Sequence, residues 1–260
     1  MSGYRPAWNG KSHGMRCATE PGSVDLYEQV EAMAPLRSPL VSCAQPPHQW
    51  MVSEHLLDKM HEVANHSQIF STPLEFQDGR FNERNAAQVE ALGIGLESLE
   101  MAVVHGLDTG GSSPTMGGLL EKVRSWSNAG NRPVSEKLLG RFIDEVIGRG
   151  GQEILVALSE ARCEWCMDQD WWIGVENGYG HAKYEIRGRY VTLVFTPTLA
   201  DDQMLVLARE HFRVRSPRYK SWRATGSEEL PKGRIRQIVT GQYTLDLREP
   251  EMHAYVHGLV

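Results

Sequence analysis

The sequence predicts an α+β protein. Three observations carry that expectation. One long stretch places its apolar residues on a single helical face, several apolar runs of strand length lie in the second half, and the last part is rich in β-branched and aromatic residues. Between Asn85 and His105, Val89, Leu92, Leu96, Leu99 and Val103 recur at spacings of 3, 4, 3 and 4, which is one face of a helix. Asn82 or Asn85 is placed to cap its start and Gly106 to end it. Gly93 and Gly95 fall inside it, each costing about 1 kcal/mol relative to Ala, so packing against another element has to hold that turn. The two glycines also suggest a point where the helix could bend during a structural transition.

Residues 1–50 contain six prolines and little apolar periodicity, so they read as an extended arm with at most one short helix near Val24 to Met33. Rigid turns at Pro35-Leu-Arg-Ser-Pro39 and Pro46-Pro47 sit beside apolar groups such as Trp50, an arrangement that calls for a partner surface. After the long helix, 108–114 is a loop by composition and Met116 to Asn128 a short helical or mixed segment. A second helix is expected from Pro133 to Ile147, with Pro133 in its first turn and Leu138, Leu139, Phe142, Ile143 and Val146 on its apolar side. Ile154 to Leu158 has strand length, and Ser159 could cap a helix carrying Cys163 and Cys166. Lys183 to Ile186, Tyr190 to Phe195 and Met204 to Ala208 read as strands, and Ile235 to Leu247 as paired strands near the C-terminus.

The chain has 260 residues, of which 41% are hydrophobic and 23% charged, enough apolar material for one large core or two small ones. No apolar run approaches the roughly 18 residues a membrane span requires, so no membrane partner is expected. The first twenty residues lack the apolar centre of a secretory signal, which implies synthesis and retention in the cytoplasm. Cys17, Cys43, Cys163 and Cys166 are too few and too unevenly placed for a disulfide framework. The net charge is −6, yet the segment from Arg209 to Arg236 holds nine basic and three acidic residues and so carries +6. The remainder therefore carries −12, and this asymmetry suits contacts between identical copies.

Catalytic and metal motifs are weak. Cys163-Glu-Trp-Cys166 is a CxxC, but it falls inside a helix instead of opening one, and no second CxxC completes a zinc site. The ten histidines never adopt HxH or HExxH spacing, and the glycine-rich stretches match neither a phosphate-binding loop nor a nucleophile elbow. No cofactor or catalytic residue is assigned. Two other readings stand beside an interface role. One is a nucleic-acid-binding accessory protein that uses the basic strip with Tyr219 and Trp222 as stacking groups. The other is a thiol oxidoreductase working through Cys163 and Cys166.

Taken in order, the pieces resemble the major capsid proteins of tailed bacteriophages with the HK97-like fold. The likeness runs from about residue 33 to 260. It rests on Pro35-Leu-Arg-Ser-Pro-Leu40 and Trp50, Ser67-Gln-Ile-Phe70 before the long helix, and Ser113-Pro-Thr-Met-Gly-Gly-Leu-Leu120 after it. In the last seventy residues the order is Tyr190-Val-Thr-Leu-Val-Phe-Thr-Pro197, Asp201-Asp202, Met204 to Leu207, Arg215, Ala224-Thr-Gly226, Gln242-Tyr-Thr-Leu-Asp-Leu247, Ala254 and Gly258-Leu259. The chain departs from the family in being short and in having no long N-terminal segment to serve as an internal scaffold, and Gln242 stands where a Glu is expected. No Lys, Asn and Glu trio for covalent crosslinking is identified.

The resemblance implies an N-terminal arm at 1–46, an extended loop at 47–76 and a peripheral domain with its spine helix at 77–130. An axial domain at 131–235 follows, and C-terminal strands at 236–260 return to the peripheral domain. It implies a structural shell subunit, not an enzyme, that forms pentamers and hexamers of an icosahedral virion shell assembled in the host bacterial cytoplasm. The implied partners are further copies of itself, a portal protein, scaffolding or decoration proteins, and packaged double-stranded DNA held by non-specific contact. Intersubunit contacts are expected at Trp50, Phe70, Arg213, Arg215, Arg218, Lys220 and Arg223.

Overall fold

A computed structural model describes residues 38–43, 67–109, 115–162, 166, 177–178, 181–186, 188–216 and 221–260. The long helix, α2 (Phe81–His105), follows α1 (Pro39–Cys43) and β1 (Gln68–Gln77). It starts one turn before the expected Asn85, so Asn82 and Asn85 lie inside it. Arg80 occupies the N-cap without a side-chain cap, and its guanidinium pairs with Glu83 at 2.7 Å. The end is as expected: the Gly106 N–H donates to the Ala102 carbonyl. Leu92, Leu96, Leu99 and Val103 are all buried.

Beneath α2 lies a four-stranded sheet built around β10 (Arg234–Leu247). β1 pairs antiparallel with β10 over ten positions, from Gln68 opposite Tyr243 to Gln77 opposite Arg234. Period-2 alternation turns Phe70, Thr72, Leu74 and Phe76 inward and Ile69, Ser71 and Pro73 outward. On the other edge of β10, β9 (Arg223–Leu230) covers its first half and β8 (Phe212–Arg215) its second. The expected pair of C-terminal strands is thus one strand of 14 residues. No turn interrupts it: Gly241 stays extended beneath Trp222, with its Cβ position 2.8 Å from the indole.

The second sheet has the order β2-β11-β7-β3-β6-β5-β4, from β2 (Ser125–Arg132), β3 (Ile154–Ser159), β4 (Asn177–Gly178), β5 (His181–Ile186), β6 (Arg189–Thr196), β7 (Gln203–Ala208) and β11 (Ala254–Leu259). β3 runs parallel to β6 and β11 parallel to β2; the other pairings are antiparallel. Every residue of β3 is buried. Leu155 and Ala157 face the core under α2, whereas Ile154, Val156 and Leu158 face a second core. That second core is closed by α4 (Glu136–Gly148), whose Leu138, Leu139, Phe142, Ile143 and Val146 form the expected apolar side. The Ser135 hydroxyl caps α4 by accepting from the Leu138 N–H at 3.3 Å, so Pro133 precedes the helix instead of opening it.

The 116–128 segment resolves into a single turn, α3 (Leu119–Lys122), and the start of β2. Ser159 ends β3, and its hydroxyl is buried without a hydrogen-bond partner among the described residues; the helical residues that follow include Arg162 and Cys166. The expected boundaries at 131 and 236 cut across the sheets. β8 and β9 belong with β10, whereas β2 and β11 belong to the seven-stranded sheet. Pairing between strands far apart in sequence decides this, and periodicity along the chain carries no trace of it. The expected helix at 24–33 lies outside the described residues.

Candidate intersubunit surface

The basic segment folds into separate places instead of one strip. At its start, Arg209 Nε donates to the Cys43 carbonyl at 3.0 Å, which fastens α1 to the end of β7 in the seven-stranded sheet. At its end, Arg234 and Arg236 grip Glu75 across the β1–β10 pair at 2.6 and 2.8 Å, and Arg236 also approaches Glu228 at 3.5 Å. The Arg236 guanidinium holds the Glu75 carboxyl below its usual range. These exposed pairs fix cross-strand register more than stability, since such pairs are worth about 0–1 kcal/mol.

Between them, β8 presents Arg213 and Arg215. Arg215 is 4% exposed, and its guanidinium donates to Asp246 Oδ2 at 2.6 Å. Arg248 Nε lies 3.6 Å from the same oxygen. Arg213 stands opposite Asp246 in the β8–β10 register. Arg223 is exposed at the start of β9.

Two expected contact residues are therefore corrected. Phe70 is 5% exposed and packs against Trp222 with ring centroids 6.3 Å apart, because alternation along β1 aims it at the subunit's own core. Arg215 is consumed by Asp246 within the subunit. Trp50, Arg218 and Lys220 lie outside the described residues, whereas Arg213 and Arg223 keep accessible surface.

Trp222, offered as a base-stacking group, is 1% exposed. Its ring lies between two glycines: a Cβ on Gly95 would stand 2.7 Å from its Cη2, and one on Gly241 2.8 Å from its Cδ2. Gly95 thus gives the close approach the mid-helix glycine called for, and Tyr243 Oη accepts from the Trp222 backbone N–H at 3.2 Å. Tyr219 lies outside the described residues. Of the CxxC pair, Cys166 is buried and Cys163 is outside the described residues, so the accessible thiol that exchange requires is not on view.

Sequence reasoning missed Glu100, a carboxyl with 0% exposure on α2. Its Oε2 accepts from the Leu40 N–H at 3.2 Å and its Oε1 from the Thr196 hydroxyl, so it joins α1, α2 and β6. Burial pushes its pKa up to about 7. The available signal was its position one residue after Leu99, on the apolar stripe. His253, also fully buried, accepts from the Ala208 N–H through Nδ1 at 3.2 Å and donates from Nε2 to the Arg248 carbonyl at 2.9 Å. Among the described residues, no group of three or more His, Cys, Asp or Glu side chains is placed to hold a metal ion.

A long spine helix over a four-stranded sheet, joined to a seven-stranded sheet backed by a second helix, is the α+β architecture of HK97-like capsid proteins, and this chain has that fold. The capsid protein of the empty GTA particle matches it with a TM-score of 0.55, covering 84% of this chain and 81% of that one at 7% identity. The holo-SrpI encapsulin complex from Synechococcus elongatus PCC 7942 matches with a TM-score of 0.53, 74% of each chain and 14% identity. The native GTA capsid gives 0.51, with 75% and 73% covered and 8% identity. No family model and no curated protein matches the sequence.

Proposed function

We propose that this chain is the major capsid protein of a tailed bacteriophage, the repeated subunit of an icosahedral head shell that encloses double-stranded DNA. The observation that carries this reading is the fold itself, shared over 84% of the chain with a capsid protein. No catalytic step is assigned; the work of such a subunit is done by many moderate contacts that a closed assembly repeats. The arm (1–46) and the extended loop (47–76) reach neighbours outside α1 and β1, which belong to the subunit's own core, a role that fits the arm's proline-rich composition. The half containing α2 and β10 forms the peripheral domain, and the seven-stranded sheet with α4 forms the axial domain around pentamer and hexamer axes.

The partners are further copies, a portal protein and scaffolding or decoration proteins, with the DNA touched non-specifically. Assembly takes place in the host cytoplasm and ends in the virion. The accessible part of the basic segment contributes intersubunit contacts. Electron microscopy of the purified protein, expressed alone and with the portal and scaffolding proteins of its own phage, tests the reading. Closed shells are expected. A monomer that never assembles and binds DNA with steep salt dependence would refute it.

A further inference from the structure

Part of the positive charge of the 209–236 segment meets a further arginine, Arg248, at one carboxylate. Arg213, Arg215 and Arg248 gather around Asp246 on β8 and the end of β10, so three guanidinium groups share one carboxylate. Asp246 Oδ2 is taken by Arg215 at 2.6 Å, and Arg248 stands off at 3.6 Å with its side chain 46% exposed. Two atoms on the same stretch, Arg213 Nε and His211 Nδ1, are buried without a hydrogen-bond partner among the described residues. A buried donor without an acceptor is a cost that native structures keep only where something else answers it. Burial first, then the charges of Arg215 and Arg248, weaken proton binding at Arg213 against the opposing charge of Asp246, and among the described residues Arg213 makes no ion pair of its own. Among the described residues, β8 is also an edge strand, paired with β10 alone.

We propose that Arg213 and Arg248 receive a carboxylate from a second copy of this chain, so that Asp246 and the incoming acid together offset two of the three guanidinium charges. This deepens the shell-subunit reading and rests on it. The subunit's own carboxylate here is already engaged, and every copy carries −12 outside the basic segment, so acidic groups are in excess on any approaching copy. A phosphate backbone suits the cluster poorly. Non-specific DNA binding uses exposed rows of Lys and Arg, whereas Arg215 is 4% exposed and Arg213 is half-buried. Guanidinium groups in a fixed fork suit a carboxylate held in register. Because the cluster meets a different patch of its neighbour, the contact is heterologous, the kind that closes rings when the rotation allows.

The test is the double variant Arg213→Gln with Arg248→Gln, which leaves the Arg215–Asp246 pair in place, alongside the single variant Arg248→Gln. Assembly is followed by light scattering and electron microscopy across subunit concentration and salt, with thermal unfolding of dissociated subunits as the control. The double variant is expected to need about tenfold more protein to form shells, or more, and to lose much of the wild type's salt sensitivity. Arg248→Gln, on a side chain with a free flank, is expected to shift assembly in the same direction with unchanged unfolding, which keeps the test decisive if the double variant folds poorly. Shell formation by both variants at wild-type concentration and with wild-type salt dependence overturns the inference while leaving the shell reading intact. Normal empty shells that fail only to retain DNA overturn it in favour of phosphate binding. A wild type that never forms shells overturns both.

Discussion

Replacing Gly95 with Ala sets two opposing effects against each other in a way the geometry can decide. In an exposed helix interior the change would stabilise by about 1 kcal/mol. Here the new methyl would sit 2.7 and 2.9 Å from Trp222 Cη2 and Cζ3, well inside van der Waals contact. The indole has little room to retreat, because it already rests against the backbone of Gly241, so closely that a Cβ added there would stand 2.8 Å from its Cδ2 and Cε3. Overpacking of this kind costs typically 1–3 kcal/mol, so the net effect of Gly95→Ala is a loss of roughly 0–2 kcal/mol once the helix gain is subtracted. The decisive comparison is the same change in a Trp222→Ala background. Removing the buried indole costs about 3–5 kcal/mol by itself, but it clears the space, so Gly95→Ala should then stabilise by about 1 kcal/mol. Urea unfolding of the four proteins, followed by far-UV circular dichroism, measures the coupling directly. If Gly95→Ala shifts the midpoint equally in both backgrounds, the glycine is not a seat for Trp222 and the close approach has been misread.

Glu100 gives a pH dependence of defined sign. Its folded pKa of about 7 lies above the ordinary value of 4.5, so the unfolded chain ionises first and stability falls as pH rises from about 4.5 to about 7, by on the order of 3 kcal/mol. Glu100→Gln should remove that slope in melting curves between pH 5 and 8; an unchanged slope would place its origin elsewhere. His253 acts in the opposite direction: burial lowers its pKa, so its contribution is full above about 6.5 and declines as pH falls below that. His253→Ala should cost about 2–4 kcal/mol at pH 7.5 through two lost hydrogen bonds and flatten the acid-side decline; chemical denaturation at pH 7.5 and 5 reads both. Asp246→Asn leaves the buried Arg215 guanidinium without its anion and should lower unfolding stability by about 3 kcal/mol, whereas a loss below about 0.5 kcal/mol would mean that solvent already screens the pair.

The parts of this fold that show in sequence are those written locally. The 3.6-residue spacing of Leu92, Leu96, Leu99 and Val103 announces α2, and the apolar runs of β3, β6 and β7 announce strands because both faces of those strands are covered. β2 is invisible by the same logic: Ser125-Trp-Ser-Asn-Ala-Gly-Asn-Arg132 is polar, and it is a strand because β11 pairs with it. The candidate surface was legible in charge but not in direction. Basic residues mark where contacts are to be sought, yet whether Arg215 turns outward depends on an aspartate 31 positions later. Phe70 likewise looks like an interface aromatic until β10, more than 160 residues away, supplies the strand that turns it inward.

The burial of β3 on both faces has a consequence for how the subunit comes apart. Leu155 and Ala157 belong to one core and Ile154, Val156 and Leu158 to the other, so neither core can melt without exposing half of a strand that the other still requires. The two halves are thereby bound into one cooperative unit: a single calorimetric transition, with the amides of β3 and its neighbour β7 exchanging hydrogen last, is the behaviour this shared wall dictates.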